Sequence, residues 1–192
     1  MPWQLDLQQA ASPIMHEIRW FSHYSLWFIV PITLFVLALL IQTALLPQLF
    51  PTPDIPDFVL PLTVIIALYE TPRRGLLAGL LGGLLQDLWA GRLWGLNAVS
   101  FALLGYLVAW TAGHVARDPI FVPGLLAGLG QLVILPFQWV LLRLSGYDFS
   151  WIPFMHTLPE WILFSMFMAP ALGGILRFRP RHEVENRYSS GY

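Results

Sequence analysis

Among the residues able to do chemistry, Asp87 has the least expected setting: a carboxylate inside the run Arg73 to Trp110, RRGLLAGLLGGLLQDLWAGRLWGLNAVSFALLGYLVAW. A charge in so apolar a stretch must be paired, solvated or functional, because burying it alone in hydrocarbon is expensive. Catalysis would need companions. An intramembrane serine protease wants a Ser in a glycine-rich turn facing a His, and Ser100, Ser165, His114 and His156 have no such setting. An aspartyl enzyme needs a second buried acid to split two pKa values. Glu70 falls on the opposite side, and Asp118, Asp148 and Glu160 fall at interfaces. The five histidines are scattered, His16, His23 and His182 reading as solvated surface residues, and cysteine is absent. Neither a metal cluster nor a thiolate nucleophile is indicated. The expectation is no catalytic residue, no metal and no cofactor.

Asp87 fits a structural role better. It continues the series Gly75, Gly79, Gly83 by one turn, has Gln86 beside it, Arg92 five residues on, and Asn97 opening the next apolar run. From there it can accept hydrogen bonds from the free N–H groups at the start of the following helix, or pair with Arg92. Asp87, Arg92 and Asn97 are therefore expected to lock an outer turn or to form a partner site. Glycines four apart stay near one helix face, drifting about 40° per step. Gly75, Gly79 and Gly83, widened by Gly82, form a groove that a second helix can approach closely, as association in lipid depends on van der Waals contact. A homodimer face or a ligand slot is the alternative use of that groove. Gly124 and Gly128 form a weaker small-residue face.

The elements that carry these residues follow from composition. The chain has 192 residues, 57% hydrophobic and 11% charged, with mean hydropathy +0.65. A soluble chain would carry about a quarter of its residues charged, so the chain is expected to be an all-α polytopic membrane protein with the bilayer as partner. A net charge of −1 without a basic tract points away from nucleic acid. No cleavable signal peptide is expected at the N-terminus.

Residues 1–25 form an N-terminal segment in which Ile14, Met15, Ile18 and Phe21 recur near helical spacing. A short amphipathic helix lying at the interface suits them, a disordered tail being the alternative. Residues 26–177 form the transmembrane domain, with spans over Leu26–Phe50, Phe58–Tyr69, Leu76–Trp89, Leu96–Gly113, Ile120–Leu142 and Leu158–Leu176. The second is short and must be thinned around, tilted little or shielded by protein. Gln42 and Thr43 interrupt the first span and mark its packed side. The link PTPDIPD is a loop, 145–161 is the longest link, and 178–192 is a tail. A cytoplasmic N-terminus puts Arg19, Arg73, Arg74, Arg117, Arg177, Arg179, Arg181 and Arg187 inside and only Arg92 and Arg143 outside. Six transmembrane helices with both termini cytoplasmic is the topology expected.

The stretch PDFVLPLTVIIALYETPRRGLLAGLLGGLLQDLWAGRLWGLNAVSFALLGYLVA resembles the rod shape-determining protein MreD family. The resemblance rests on Pro56, Gly75, Gly79, Gly83, Asp87, Gly95, Leu96, Asn97, Ala98, Gly105 and Tyr106 taken as an ordered set. It implies a non-enzymatic scaffold of the cell-wall elongation machinery in the bacterial inner membrane. Such a scaffold would bind MreC directly and, through it, MreB, RodA and the elongation transpeptidase, with homo-oligomers only inside that complex. The family is also similar in fold to the substrate-binding membrane subunits of energy-coupling factor transporters. A small-molecule-binding subunit of a vitamin-type transporter is thus the alternative function, although no dense polar cluster is evident in the outer half.

Overall fold

A computed structural model describes residues 13–49, 57–90, 95–112, 114, 121–147 and 150–176. Among them every regular element is helical, as expected where backbone polar groups have no water to bond and must be satisfied within their own segment. The helices are α1 (Pro13–Leu40), a π-helical turn (Ile41–Leu45), α2 (Leu46–Leu49), α3 (Val59–Leu68), α4 (Pro72–Ala90), α5 (Leu96–Thr111), α6 (Phe121–Leu144) and α7 (Trp151–Leu176).

The chain is a helical membrane protein by length and composition, and three stretches are long and apolar enough to cross a bilayer: Glu17–Gln48, Phe121–Leu144 and Met155–Ile175. The other three expected spans fall short for distinct reasons. The 10 residues of α3 cover about 15 Å and the 16 of α5 about 24 Å, against a hydrocarbon core of about 30 Å. Helix α4 reaches 19 residues but carries Arg73, Arg74 and Asp87. At the N-terminus, α1 runs unbroken from Pro13 into the expected first span. Helix α7 starts at Trp151, ahead of the expected Leu158, and takes Pro159 and Pro170 into its interior. The first 12 residues, residues 50–56, Arg92, Arg117 and the 178–192 tail lie outside the described residues.

The core is built around α3. Every residue from Val59 to Ala67 is buried, and a helix that is apolar all round belongs inside a bundle. Of the remedies open to so short a span, shielding by protein is the one adopted: α1, α4, α5, α6 and α7 all pack against it.

Helices α4 and α5 form the closest pair. A Cβ at Gly79 would fall on the carbonyl of Phe101, one at Gly83 on the backbone of Asn97 and Ala98, and one at Gly75 2.5 Å from the carbonyl oxygen of Gly105. The pairing of 75 with 105 and of 83 with 97 makes the helices antiparallel. Gly82 faces a different neighbour, since a Cβ there would lie 2.8 Å from the Phe35 ring of α1. The small-residue face therefore serves two helices.

Helix α6 packs antiparallel on α7 with less uniformity. A Cβ at Gly124 would approach the Met166 carbonyl to 2.6 Å, whereas one at Gly128 would make an ordinary 3.5 Å contact with Ile162. Gly128→Ala should leave thermal unfolding in detergent within about 0.5 kcal/mol of the parent. Gly124→Ala should cost about 1–3 kcal/mol through overpacking. Equal effects at the two positions would show that α7 does not seat on Gly124.

Candidate functional site

Two short helices start at the same end of the bundle, and each start needs acceptors for backbone N–H groups that no preceding turn can bond. At α5 the acceptor comes from α4. Asp87, 3% exposed, accepts through Oδ2 from the N–H of Gly95 at 2.9 Å and of Ala98 at 3.1 Å, and through Oδ1 from that of Asn97 at 3.1 Å. A negative group is doubly suited there, because the helix dipole adds to the hydrogen bonds. Gly95 makes the turn possible: its φ of +97° lies in the left-handed region, which a residue with a Cβ adopts at a cost.

At α3 the acceptors are Asp57 and Gln42. Asp57 Oδ1 accepts from the Val59 N–H at 2.8 Å, and the Leu60 N–H also bonds its carboxylate. The Phe58 N–H donates to Gln42 Oε1 at 3.2 Å, and Gln42 sits in the π-helical turn. The side chain of Gln86 donates to Asp57, joining the two helix starts through neighbouring residues of α4. Burial pushes the Asp57 carboxyl above its ordinary range, against the lowering effect of the hydrogen bonds from Gln86, Val59 and Leu60. Asn97 extends the network, its Oδ1 accepting from Gln138 Nε2 of α6 at 2.7 Å.

Gln42, Asp57, Gln86, Asp87, Asn97 and Gln138 thus gather at one end. This corrects the expectation that the outer half holds no dense polar cluster; Asp57, from the loop PTPDIPD, is a buried member of it at 8% exposed. Asp57 was findable, because an aspartate just ahead of a short apolar run is a helix-start signal. Gln138 was not, since nothing in local sequence pairs it with Asn97. Arg92 lies outside the described residues, and Glu160 is exposed on α7.

The opposite end is simpler. Trp27 of α1 donates from Nε1 to Glu70 Oε1 at 3.2 Å, Arg74 Nη1 lies 3.3 Å from Glu70 Oε2, and the Arg74 guanidinium stands 5.6 Å from the Trp27 ring centroid. Elsewhere, the Ser100 hydroxyl donates to its own helix at the Leu96 carbonyl, 2.6 Å away. Among the described residues no group of three or more His, Asp or Glu side chains is placed to hold a metal ion. The geometry at both ends is that of helix termination and anchoring.

Residues 1–48 match the model of the cytochrome c oxidase subunit II transmembrane domain. The match takes in α1 and the π-helical turn and covers about a quarter of the 192-residue chain. No curated protein and no solved structure matches the chain.

These findings correct the functional expectations. The matching family is not MreD, so the scaffold of cell-wall elongation, its partners MreC, MreB, RodA and the transpeptidase, and the alternative transporter subunit all give way. The non-enzymatic reading gives way with them, as the matching family is a subunit of an oxidase. The physical reason is plain in the fold. The glycines and Asp87 that carried the resemblance have local duties, close α4–α5 packing and the capping of α5, which any helical bundle with a buried helix start requires.

Proposed function

We propose that the protein is an integral-membrane subunit of a larger membrane complex, and that its first helix is the part that docks. The class of complex indicated by the family match is a cytochrome-oxidase-type assembly. The observation that carries this reading is that the family match falls on α1, the longest of the described helices at 28 residues, whose spanning stretch is 28% buried, against 33% for that of α6 and 11% for that of α7. Pro31, Phe35, Ala38 and Leu39 hold it to the bundle, while Ile29, Val30, Ile32, Val36, Leu37 and Leu40 are 37–56% exposed.

The chain would be a multi-pass protein of the bacterial inner membrane with six helical passes, α3 and α5 being partial ones and α3 enclosed by the rest. Both termini would be cytoplasmic, the orientation that the arginine distribution favours.

Purification of the tagged chain from native membranes in mild detergent tests the reading. The expected result is migration in a particle well above the chain's own 21.8 kDa, with companion subunits and a cytochrome absorption spectrum. A particle holding only this chain, colourless and without companions, would overturn it.

A further inference from the structure

The side of α1 that packs on the bundle does not stop where the bundle stops. Phe35 and Ala38 are buried, Phe35 against Gly82, and Pro31 continues the same stripe one turn earlier. Read toward the N-terminus at spacings of three and four, the stripe runs Ala38, Phe35, Pro31, Phe28, Tyr24, Trp20. Trp20 and Ala38 are 38 − 20 = 18 residues apart, about five turns, and therefore in phase. Trp27, bonded to Glu70 and beneath Arg74, marks the bundle's edge. Past it the stripe emerges: Tyr24 is 53% and Trp20 67% exposed, with Phe21 at 65% and Ile18 at 55% beside them. The rings are already ordered against one another, Trp20 stacked on Tyr24 at 5.4 Å and Tyr24 edge-on to Phe28 at 5.2 Å.

We infer that this emergent stripe, Trp20, Phe21 and Tyr24 around Glu17, is a docking face for a helix of a partner subunit that presents apolar side chains and one basic residue opposite Glu17. The inference deepens the reading of the protein as a subunit of a larger complex and rests on it. Continuity with the α1–α4 interface supplies the first reason: the face is of the kind already used to bury a helix. The second is that α1 is one unbroken helix from Pro13 to Leu40, so its outer half continues the line of the span and cannot lie flat on the bilayer as an interfacial helix does. The third is Glu17, exposed and in the middle of the apolar arc. A lipid surface disfavours an acid there, whereas a facing Arg or Lys would pair with it.

A photo-crosslinking residue at Tyr24, with purification of the intact complex, tests this. The expected adduct is a helical peptide of a companion subunit carrying an Arg or Lys. Trp20→Ala with Tyr24→Ala, and separately Glu17→Lys, should each reduce companion recovery at least tenfold at unchanged thermal unfolding of the chain. Reversing the charge of the crosslinked Arg or Lys should restore recovery to Glu17→Lys. Adducts with lipid only, or companions retained in full by the variants, would overturn the inference while leaving the subunit reading intact. Absence of companions from the wild-type chain would overturn the subunit reading itself.

Discussion

Replacing Asp87 with leucine should remove about 3–5 kcal/mol of stability, a large part of what a folded domain has. The carboxylate serves three backbone donors, those of Gly95, Asn97 and Ala98. Leucine would leave all three without an acceptor at a buried helix start. Each orphaned buried donor costs about 1–3 kcal/mol, and the losses do not add fully because the turn can relax. Asp87→Asn should be milder, about 1–2 kcal/mol. Its single oxygen can take the Oδ2 position and keep Gly95 and Ala98, but its amide then opposes the N–H of Asn97. Thermal unfolding followed by fluorescence in detergent gives the ranking, wild type above Asn above Leu. A leucine variant as stable as the parent would mean that water reaches the turn and replaces the carboxylate.

Gly79→Leu should have a comparable effect through a different cause. The Cβ alone would occupy the position of the Phe101 carbonyl, so α4 and α5 must separate before the rest of the side chain is placed. Backbone cannot turn aside as a flexible side chain can. Gly79→Ala should cost about 1–3 kcal/mol and Gly79→Leu more, with loss of monodisperse protein on size-exclusion chromatography. Leu77→Ala, on the 38% exposed side of the same helix, is the matched control and should change little. Normal folding of Gly79→Leu would show that α4 and α5 do not touch there.

The two sites differ in how openly the chain displayed them. The spacing of Gly75, Gly79 and Gly83 and the place of Asp87 ahead of a new apolar run state a close-packed helix face and a capped turn in local terms, because a four-residue glycine period and an acid ahead of a helix start are each visible without knowing the partner. The role of Gly82 toward Phe35, the capping of Phe58 by Gln42 and the link from Gln138 to Asn97 join positions 16 to 47 residues apart. No period or motif specifies such pairs. The enclosure of the second expected span was hidden for a related reason. Hydropathy registers that Val59–Leu68 is apolar, but not that protein rather than lipid surrounds it. Function was least legible, since small residues in apolar helices are what tight packing alone selects, and the same glycines fit many families.

The claim that α1 docks the chain into a larger complex is tested most directly by photo-crosslinking at membrane depth in native membranes, comparing Leu37 of α1 with Leu103 of α5. Both are about half exposed, at 52% and 45%, so lipid would treat them alike. The account requires a protein adduct of defined mass from Leu37 and none from Leu103. Lipid adducts alone from both positions, or the same protein adduct from each, would contradict it.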